Sequence, residues 1–152
     1  MPTQTIPTLA RISPQELASL LRSPPNQGKI AIIDVRDSDY IGGHIKSCLN
    51  VPVQTHDYRM PELVRNLKDK EMVVFHCALS QQRGPSSALR FLRERERMGA
   101  RGEVGVRGDG EDLGAGQRVV VLEGGFVKWQ ELYGLDLELT EGYVKDLWDD
   151  KW

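Results

Sequence analysis

The sequence lacks the features that mark secreted, membrane-spanning or nucleic-acid-binding proteins. It has two cysteines in 152 residues, too few for a disulfide framework, which favours reduced thiols in an intracellular protein. Its longest apolar runs, Ile30–Ile33 and Val119–Leu122, are far too short to cross a bilayer. No basic segment followed by an apolar stretch opens the chain, so no signal peptide is indicated. A formal net charge of −2 gives no global field that would recruit nucleic acid or anionic membrane.

The composition that remains is that of an ordinary globular protein. Hydrophobic residues make up 39% of the chain and charged residues 28%. A chain of this length predicts one domain over residues 1–152, which would bury roughly 68–70% of its unfolded surface. We expect a monomer or weak homodimer in the cytoplasm, with the nucleus as a further compartment, and no nucleic-acid or membrane partner.

Short apolar strands alternate with helical segments along the chain. Ser13-Pro14-Gln15-Glu16 predicts a capped helix start, and Pro85 opens a second helix. Residues Met60–Leu67 and the segment after Gly124 also have helical patterns, whereas Ile41–Ile45 is typical of a turn. Four segments predict strands: Lys29–Val35, Cys48–Pro52, Glu71–Phe75 and Val119–Leu122. This alternation predicts an α/β fold with a central, mostly parallel sheet flanked by helices.

The segment from Glu94 to Gln117 breaks this alternation. It is dominated by Gly, Arg, Glu and Asp and has hardly any apolar residues. Such a segment cannot bury enough surface to offset the entropy of ordering it. It therefore predicts a flexible insertion at about 94–117, between the second helix and the last strand.

The segment Phe75-His76-Cys77-Ala78-Leu79-Ser80-Gln81-Gln82-Arg83 has the richest chemistry in the sequence. An apolar strand ends at Cys77, and an arginine follows after a tight loop at a predicted helix start. Backbone N–H groups of such a loop form a nest for an oxyanion, which Arg83 can close with its planar fork. The same positive field favours the thiolate form of Cys77, which is the nucleophilic form. The sequence thus predicts Cys77 and Arg83 as catalytic residues, with an oxyanion held by the loop residues Ala78, Leu79, Ser80, Gln81, Gln82 and Arg83.

Five motifs, taken together, resemble those of a rhodanese domain. In order they are Asp34-Val35-Arg36, Gly43-His44-Ile45, Asn50-Val51-Pro52, the Cys77 loop and Leu122-Glu123-Gly124-Gly125-Phe126 with Trp129. The resemblance covers almost the whole chain and implies a three-layer fold. Sulfurtransferases of that superfamily have a shorter loop. The five residues between Cys77 and Arg83 are instead similar to the loop of Cdc25-type phosphatases and related eukaryotic arsenate reductases.

This resemblance implies a cysteine-dependent phosphatase that hydrolyses a phosphotyrosine, a phosphoprotein or an aryl phosphate through a phosphocysteine. The alternative is an arsenate reductase of the same architecture, which would take its electrons from glutathione or glutaredoxin. The substrate is then a phosphorylated protein or a small oxyanion. A third interpretation is a non-catalytic binding module, although such modules commonly lose the cysteine. No cofactor is expected beyond that reductant. The histidines and cysteines lack zinc-ligand spacing, so no metal is expected either.

Four further residues are predicted to support the site. His76 is expected to position the loop through a hydrogen bond, and Asp34 and Arg36 to form a structural polar pair beside the sheet. His44 is expected to be a buried imidazole with its hydrogen bonds satisfied. The hydroxyl of Ser80 could donate to the cysteine sulfur or could simply build the loop.

The sequence departs from the Cdc25 pattern in ways that bear on catalysis. Cell-cycle Cdc25 enzymes have glutamates at the loop positions occupied here by Ala78 and Gln82, which slightly favours a small oxyanion as substrate. Cys48, the other thiol, is expected to pack in the core. No general acid is identified, and four aspartates are candidates by residue type alone: Asp37, Asp39, Asp149 and Asp150.

Overall fold

The core of the protein, which the computed structural model describes over residues 8–100 and 116–149, is a five-stranded parallel sheet. In these ranges the strands are β1 Ala10–Ile12, β2 Ile30–Asp34, β3 His44–Ile45, β4 Leu49–Asn50, β5 Met72–His76, β6 Arg118–Leu122 and β7 Thr140–Glu141. The strand order in the sheet is β1-β6-β5-β2-β4. Strands β3 and β7 form a separate, two-stranded antiparallel ribbon.

Within the described ranges, five α-helices connect and cover these strands. They are α1 Pro14–Arg22, α2 His56–Asn66, α3 Arg83–Ala100, α4 Gly125–Tyr133 and α5 Asp146–Asp149, with short 3₁₀ turns at Pro24–Asn26 and Val53–Thr55. The start of α1 is the one predicted, because the Ser13 side chain accepts a hydrogen bond from the Glu16 backbone N–H at 3.1 Å. Among the described residues, no helix is long and apolar enough to span a membrane.

Two hydrophobic clusters cover the two faces of the sheet. Alternate side chains of the central strand β5 enter different clusters: Val73 and Phe75 pack on one face, Met72 and Val74 on the other. Helices α2 and α3 supply the first cluster, and α1 and α4 the second. A strand buried on both faces needs a continuous apolar run, as the sequence has here. The predicted three-layer α/β fold with its parallel sheet is confirmed.

Three short strands, β1, β3 and β7, lie where the sequence did not predict them. Strand β1 pairs in parallel with β6 through Ala10 and Val120 at the edge of the sheet. His44 and Ile45, predicted to be part of a turn, form β3 and pair with Glu141 and Thr140. None of the three has more than three residues, so none shows a local period.

Helix α3 is longer than the sequence predicted at both ends. It begins at Arg83 rather than Pro85, and it continues to Ala100, so the prediction of an insertion starting at Glu94 was wrong. Met98 lies two helical turns after Phe91, and both are fully buried in the same cluster. Gln117 is also part of the fold, since its side chain donates to the carbonyls of Leu67 and Lys70. The rest of the predicted insertion, residues 101–115, lies outside the described residues.

The C-terminal helix α5 packs onto the domain through Trp148. Its indole N–H donates to the Gly42 carbonyl at 2.9 Å, and its ring lies 5.4 Å from that of Phe126. Gly42 has a φ of +77°, and a Cβ there would lie 2.8 Å from the Trp148 indole nitrogen. Helix α5 is thereby joined to the loop between β2 and β3. Trp152 and Asp150 lie outside the described residues.

Candidate active site

The loop of residues 77–82 lies at the carboxyl end of β5, between the ends of β2 and β6. Strand β5 is hydrogen-bonded to both of these neighbours and is buried along its whole length. Helix α3 begins directly after the loop, at Arg83. In open parallel sheets this edge is where ligands bind. The helix N-terminus adds unpaired N–H groups and a positive dipole at the same place.

The Cys77 sulfur lies inside this loop, where a backbone N–H is directed at it. The thiol is 3% exposed, and the Ser80 N–H donates to Sγ at 3.2 Å. Ser80 reaches this position with a φ of +57°, in the left-handed region that non-glycine residues seldom adopt. Its hydroxyl is buried and has no hydrogen-bond partner among the described residues. The backbone of Ser80, not its hydroxyl, is therefore the group that contacts the sulfur.

Glycine-containing segments hold the loop on two sides. Gly84 in α3 packs against the end of β5, and a Cβ there would lie 3.2 Å from the His76 Cα. Gly125 at the start of α4 is closer still, since a Cβ there would lie 2.3 Å from the Ala78 carbonyl oxygen. This contact allows the Phe126 N–H to donate to the Cys77 carbonyl at 3.0 Å. The Val127 N–H donates to the Ala78 carbonyl at 2.9 Å.

These two bonds give the carbonyls of Cys77 and Ala78 hydrogen-bond donors from outside the loop. Arg11 adds a third, donating from Nη1 to the Ser80 carbonyl at 3.3 Å. No motif in the sequence marks Arg11, Phe126 or Val127 as loop contacts. The Gly124-Gly125 pair was the available signal, because consecutive glycines often mark a close approach of two backbones.

His76 also binds the Cys77 carbonyl. The imidazole is fully buried, and its Nδ1 lies 3.0 Å from that oxygen, so Nδ1 carries the proton. Nε2 has no hydrogen-bond partner among the described residues and lies 3.7 Å from Oδ2 of Asp34. Burial lowers the pKa of His76, so the ring is neutral at pH 7. The hydrogen bond from Nδ1 to the Cys77 carbonyl is the contact that a loop-positioning role of His76 requires.

Asp34 and Arg36 form a fully buried ion pair behind the loop. Arg36 donates from Nε and Nη2 to both carboxylate oxygens at 2.8–3.1 Å, and from Nη2 to the Gly43 carbonyl at 2.9 Å. Its guanidinium also stacks on the Phe126 ring, with Cζ 4.6 Å from the centroid. The Asn50 amide donates to the carbonyls of both Asp34 and Arg36. The pair therefore has the structural geometry that the sequence predicted.

Arg83 contacts two carboxylates from the loop between β2 and β3. Its Nη1 and Nη2 donate to Oδ1 and Oδ2 of Asp39 at 2.9 and 2.6 Å, and Nη1 lies 3.8 Å from Asp37. The hydrogen bond from Arg83 holds the pKa of Asp39 below its usual value. The same bond raises the pKa of Arg83 further. Both aspartates are candidates in the sequence by residue type alone, and no local pattern predicts that they meet Arg83.

His44 does not have the buried position that was predicted. Its side chain is 30% exposed, lies 3.3 Å from Glu141 and stacks on Tyr40 with 5.4 Å between ring centroids. As part of strand β3, at the edge of the ribbon, it faces solvent on one side. His44 therefore supports the ribbon rather than the core.

Cys48 is half-buried on the side of the sheet opposite to Cys77. It packs against the cluster that contains Ile32 and Trp129, whereas Cys77 belongs to the other cluster. Burial raises the pKa of Cys48 to about 12, so it is a thiol at neutral pH. Both cysteines are free. The chain thus places no second thiol beside Cys77.

The remaining polar candidates lie away from the loop or are held in other contacts. Asp149 in α5 pairs with Lys145, the residue before that helix, and His56 is buried against the Val51 carbonyl. Within residues 8–100 and 116–149, no group of three or more histidine, cysteine or acidic side chains could hold a metal ion. The groups gathered at this loop are therefore the Cys77 thiol, the Ser80 N–H that contacts it and the Arg83 guanidinium paired with Asp39.

Comparison with known proteins places this geometry among related chains. The profile of the rhodanese-like domain matches residues 13–132. The CDC25-like phosphatase YCH1 of Saccharomyces cerevisiae is 39% identical over 128 residues, covering 77% of this chain and 76% of that protein. Arsenate reductase 2.2 of Oryza sativa subsp. japonica is 34% identical and is covered to 80%, with 78% of this chain aligned.

A solved structure shares both fold and sequence. The structure described as Ygr203w, a yeast protein tyrosine phosphatase of the rhodanese family, aligns with a TM-score of 0.66 and 34% identity. The alignment covers 93% of this chain and 98% of that one. The alignment therefore spans most of the fold described above.

Proposed function

The chain belongs to the rhodanese-like domain family as a cysteine-based enzyme of the Cdc25-like class, and we propose that Cys77 is its nucleophile and a phosphate ester its substrate. The observation that carries the proposal is the Ser80 N–H bond to Sγ at 3.2 Å. A backbone N–H directed at sulfur, at the start of a long helix, stabilises a thiolate. Arg83 lies at the end of the same loop, where it supplies a fixed positive charge.

The reaction we propose has two steps. Thiolate Cys77 attacks phosphorus in line, an S–P bond forms, and the ester P–O bond breaks as the leaving oxygen takes up a proton. Water then attacks the phosphocysteine, the S–P bond breaks, and inorganic phosphate leaves with the thiolate restored. Loop amides of Ala78 to Gln82 and the Arg83 guanidinium would hold the equatorial oxygens in both transition states. His76, with Asp34 and Arg36 behind it, would keep the loop in shape.

Turnover of a small aryl phosphate by matched cysteine variants tests this proposal. We expect Cys77→Ser to reduce hydrolysis to background, because serine is not ionised at neutral pH. Cys48→Ser serves as the control, since it changes the other thiol on the opposite face of the sheet. We expect it to keep activity within about twofold of the wild type. Hydrolysis that survives Cys77→Ser, or that disappears in both variants alike, would contradict the assignment.

Arg83 has a corresponding test. Arg83→Lys keeps the charge but loses the bidentate fork, so we expect turnover to fall about 10²–10³-fold. The matched control is Arg90→Lys. Arg90 lies on the exposed face of α3, the helix that Arg83 begins, and it also pairs with an aspartate, Asp57 of α2. Equal losses in both variants would indicate a general effect on folding, not a role for Arg83 in catalysis.

A second candidate function is arsenate reduction. The loop side chains Ala78, Leu79, Ser80, Gln81 and Gln82 carry no charge, so they would not repel a small inorganic oxyanion. Cys77 would form an S–As bond as water leaves arsenate, and the two electrons that reduce As(V) to As(III) would come from two thiols, which end as a disulfide. Water would then break the S–As bond, which releases arsenite and restores the Cys77 thiolate. Because Cys48 lies on the other face, both of those thiols would have to be external. Glutathione or glutaredoxin is the reductant we propose for this reaction.

Parallel assays separate the two functions. One follows aryl phosphate hydrolysis, and the other follows arsenate reduction with glutathione and glutaredoxin, each with Cys77→Ser as the control. Hydrolysis alone supports a phosphatase acting on phosphorylated proteins. Reduction with negligible hydrolysis supports the reductase. The cytoplasm and nucleus remain the predicted compartments, which imaging of a tagged chain would test.

A further inference from the structure

The contact that the proposed reaction leaves unexplained is the one between Arg83 and Asp39. The guanidinium has five N–H groups in one plane, and two of them, one on each terminal nitrogen, are bound by the Asp39 carboxylate. The Nε–H group donates to no residue in the described part of the chain. The end of the guanidinium formed by Nη1 and Nη2 is therefore held by Asp39. The side of the guanidinium that carries Nε is left for another acceptor.

Asp39 is itself fixed by its own loop. Its Oδ1, which accepts from Arg83, also accepts from the Asp37 N–H at 3.0 Å. Near the start of that loop lies Arg36, whose guanidinium reaches the Asp39 carbonyl at 3.4 Å. The carboxylate is thus connected to the buried ion pair at the end of β2. A flexible, partly exposed arginine gains a rigid partner 44 residues away in sequence.

We propose that Asp39 is a positioning residue that holds the Arg83 guanidinium end-on, so that its Nε edge faces the oxyanion above Cys77. This inference rests on the proposed function of the Cys77 loop. Holding the fork before substrate arrives removes the need to reorganise it in the transition state. Loop positions Ala78 and Gln82 offer no carboxylate of their own, so the anchor for Arg83 comes from the neighbouring strand end instead.

Positioning and simple charge make opposite predictions for anion affinity. The Asp39 carboxylate repels a bound anion, so Asp39→Asn should leave ground-state binding unchanged or tighter. Loss of the rigid anchor should lower kcat, because the bidentate geometry matters most in the transition state. We therefore expect Asp39→Asn to lower kcat for the aryl phosphate about 10- to 100-fold. The affinity of Asp39→Asn/Cys77→Ser for inorganic phosphate should not fall below that of Cys77→Ser.

A double-mutant cycle with Arg83 is the decisive measurement. In an Arg83→Lys background the fork is already lost, so Asp39→Asn should cost much less than it does in the wild type. Asp39→Glu, which keeps the charge on a longer stem, should restore part of kcat. Asp57→Asn is the control, because it breaks an exposed Asp–Arg pair elsewhere and should leave kcat and KM unchanged. Additive losses, an unchanged kcat in Asp39→Asn, or a raised kcat would each overturn the proposal.

A second readout does not depend on turnover. Rotation about the Arg83 Nε–Cζ bond, followed by nitrogen NMR of the guanidinium, should be slow in the wild type and fast in Asp39→Asn. Slow rotation in a wild type that turns over neither phosphate ester nor arsenate would refute the proposed function while supporting the anchor. Fast rotation in an active wild type would refute the anchor alone.

Discussion

The Cys77 carbonyl oxygen accepts a hydrogen bond from the Phe126 N–H at 3.0 Å, across a gap that has no room for a side chain at Gly125. The His76 imidazole binds the same oxygen. Both hydrogen-bonding sites of that carbonyl are thus used, one by β5 and one by α4. The conformation of the nucleophile loop therefore depends on a helix that starts 48 residues later in sequence.

Gly125→Ala should distort the loop and destabilise the fold. Gly125 has a φ of +60°, and an added Cβ would lie 2.3 Å from the Ala78 carbonyl oxygen, a backbone atom that cannot move aside. Gly28→Ala is the matched control, because Gly28 has a φ of +79° but a Cβ there would meet nothing within 4 Å. We expect about 1–2 kcal/mol of lost stability for Gly28→Ala, from backbone strain alone. Gly125→Ala should lower the free energy of unfolding by clearly more than Gly28→Ala does, and it should also reduce turnover. Equal losses of stability in the two variants, measured by urea unfolding, would contradict the close contact at Gly125.

Asp34→Asn should be strongly destabilising. The change leaves the buried Arg36 charge without its partner, which in comparable buried pairs costs about 3–5 kcal/mol. Removing both charges, in Asp34→Asn/Arg36→Met, should recover much of that loss because no unpaired charge remains buried. Equilibrium unfolding of the three proteins measures the difference. A double variant no more stable than the single one would show that the pair stabilises the fold through the Arg36 side-chain hydrogen bond to the Gly43 carbonyl.

Stability should fall as the pH is lowered through the range where histidine titrates. Burial lowers the pKa of His76, and of His56, below the ordinary value of 6.5. Below pH 6.5 the unfolded chain therefore binds protons that the folded chain does not, and the free energy of unfolding rises with pH across that window. His76→Asn keeps a donor near the Cys77 carbonyl but cannot titrate. In His76→Asn the free energy of unfolding should therefore rise less steeply with pH than in the wild type, by at most about 1.4 kcal/mol per pH unit. Urea unfolding between pH 5 and about 7.5 measures both slopes. Equal slopes in the two proteins would contradict a neutral, buried His76.

Ser80→Ala should leave the reactivity of Cys77 almost unchanged. The hydroxyl has no partner among the described residues, and it is the backbone N–H that contacts Sγ. Replacing a buried hydroxyl that has no partner is close to neutral for stability. The rate of iodoacetamide alkylation of Cys77 should stay within about twofold of the wild type, with Cys48 as a slow reference thiol in the same protein. A large drop in rate would assign the hydroxyl a role in stabilising the thiolate.

Local sequence patterns were enough to predict the central elements of the fold. Strands β2, β5 and β6 are continuous apolar runs, and α1 has a capping sequence that acts through neighbouring residues. Strand β1 was missed because only one of its three residues, Ile12, is buried, and its parallel pairing with β6 spans more than 100 residues. The last turns of α3 were missed because residues 94–100 are mostly charged or small, and the single buried side chain of Met98 gives a weak period.

The candidate site likewise has a part that local sequence predicts and a part that it does not. Cys77, the loop amides and Arg83 are contiguous in sequence, so their proximity could be predicted from spacing alone. The Asp39 anchor and the Phe126 contact come from distant segments, and nothing local to them indicates their partners. Sequence spacing specifies contacts within an element, whereas contacts between loops depend on how the sheet orders its strands.

The bond between Trp148 and Gly42 joins residues 106 positions apart. During synthesis, the segment that carries Asp39 leaves the ribosome long before the indole that packs beside it. The nucleophile loop likewise emerges before the glycine that shapes it. A nascent chain that has not yet reached α4 would therefore lack the Phe126 and Val127 hydrogen bonds to the loop, so the loop would take its final shape only after α4 has folded.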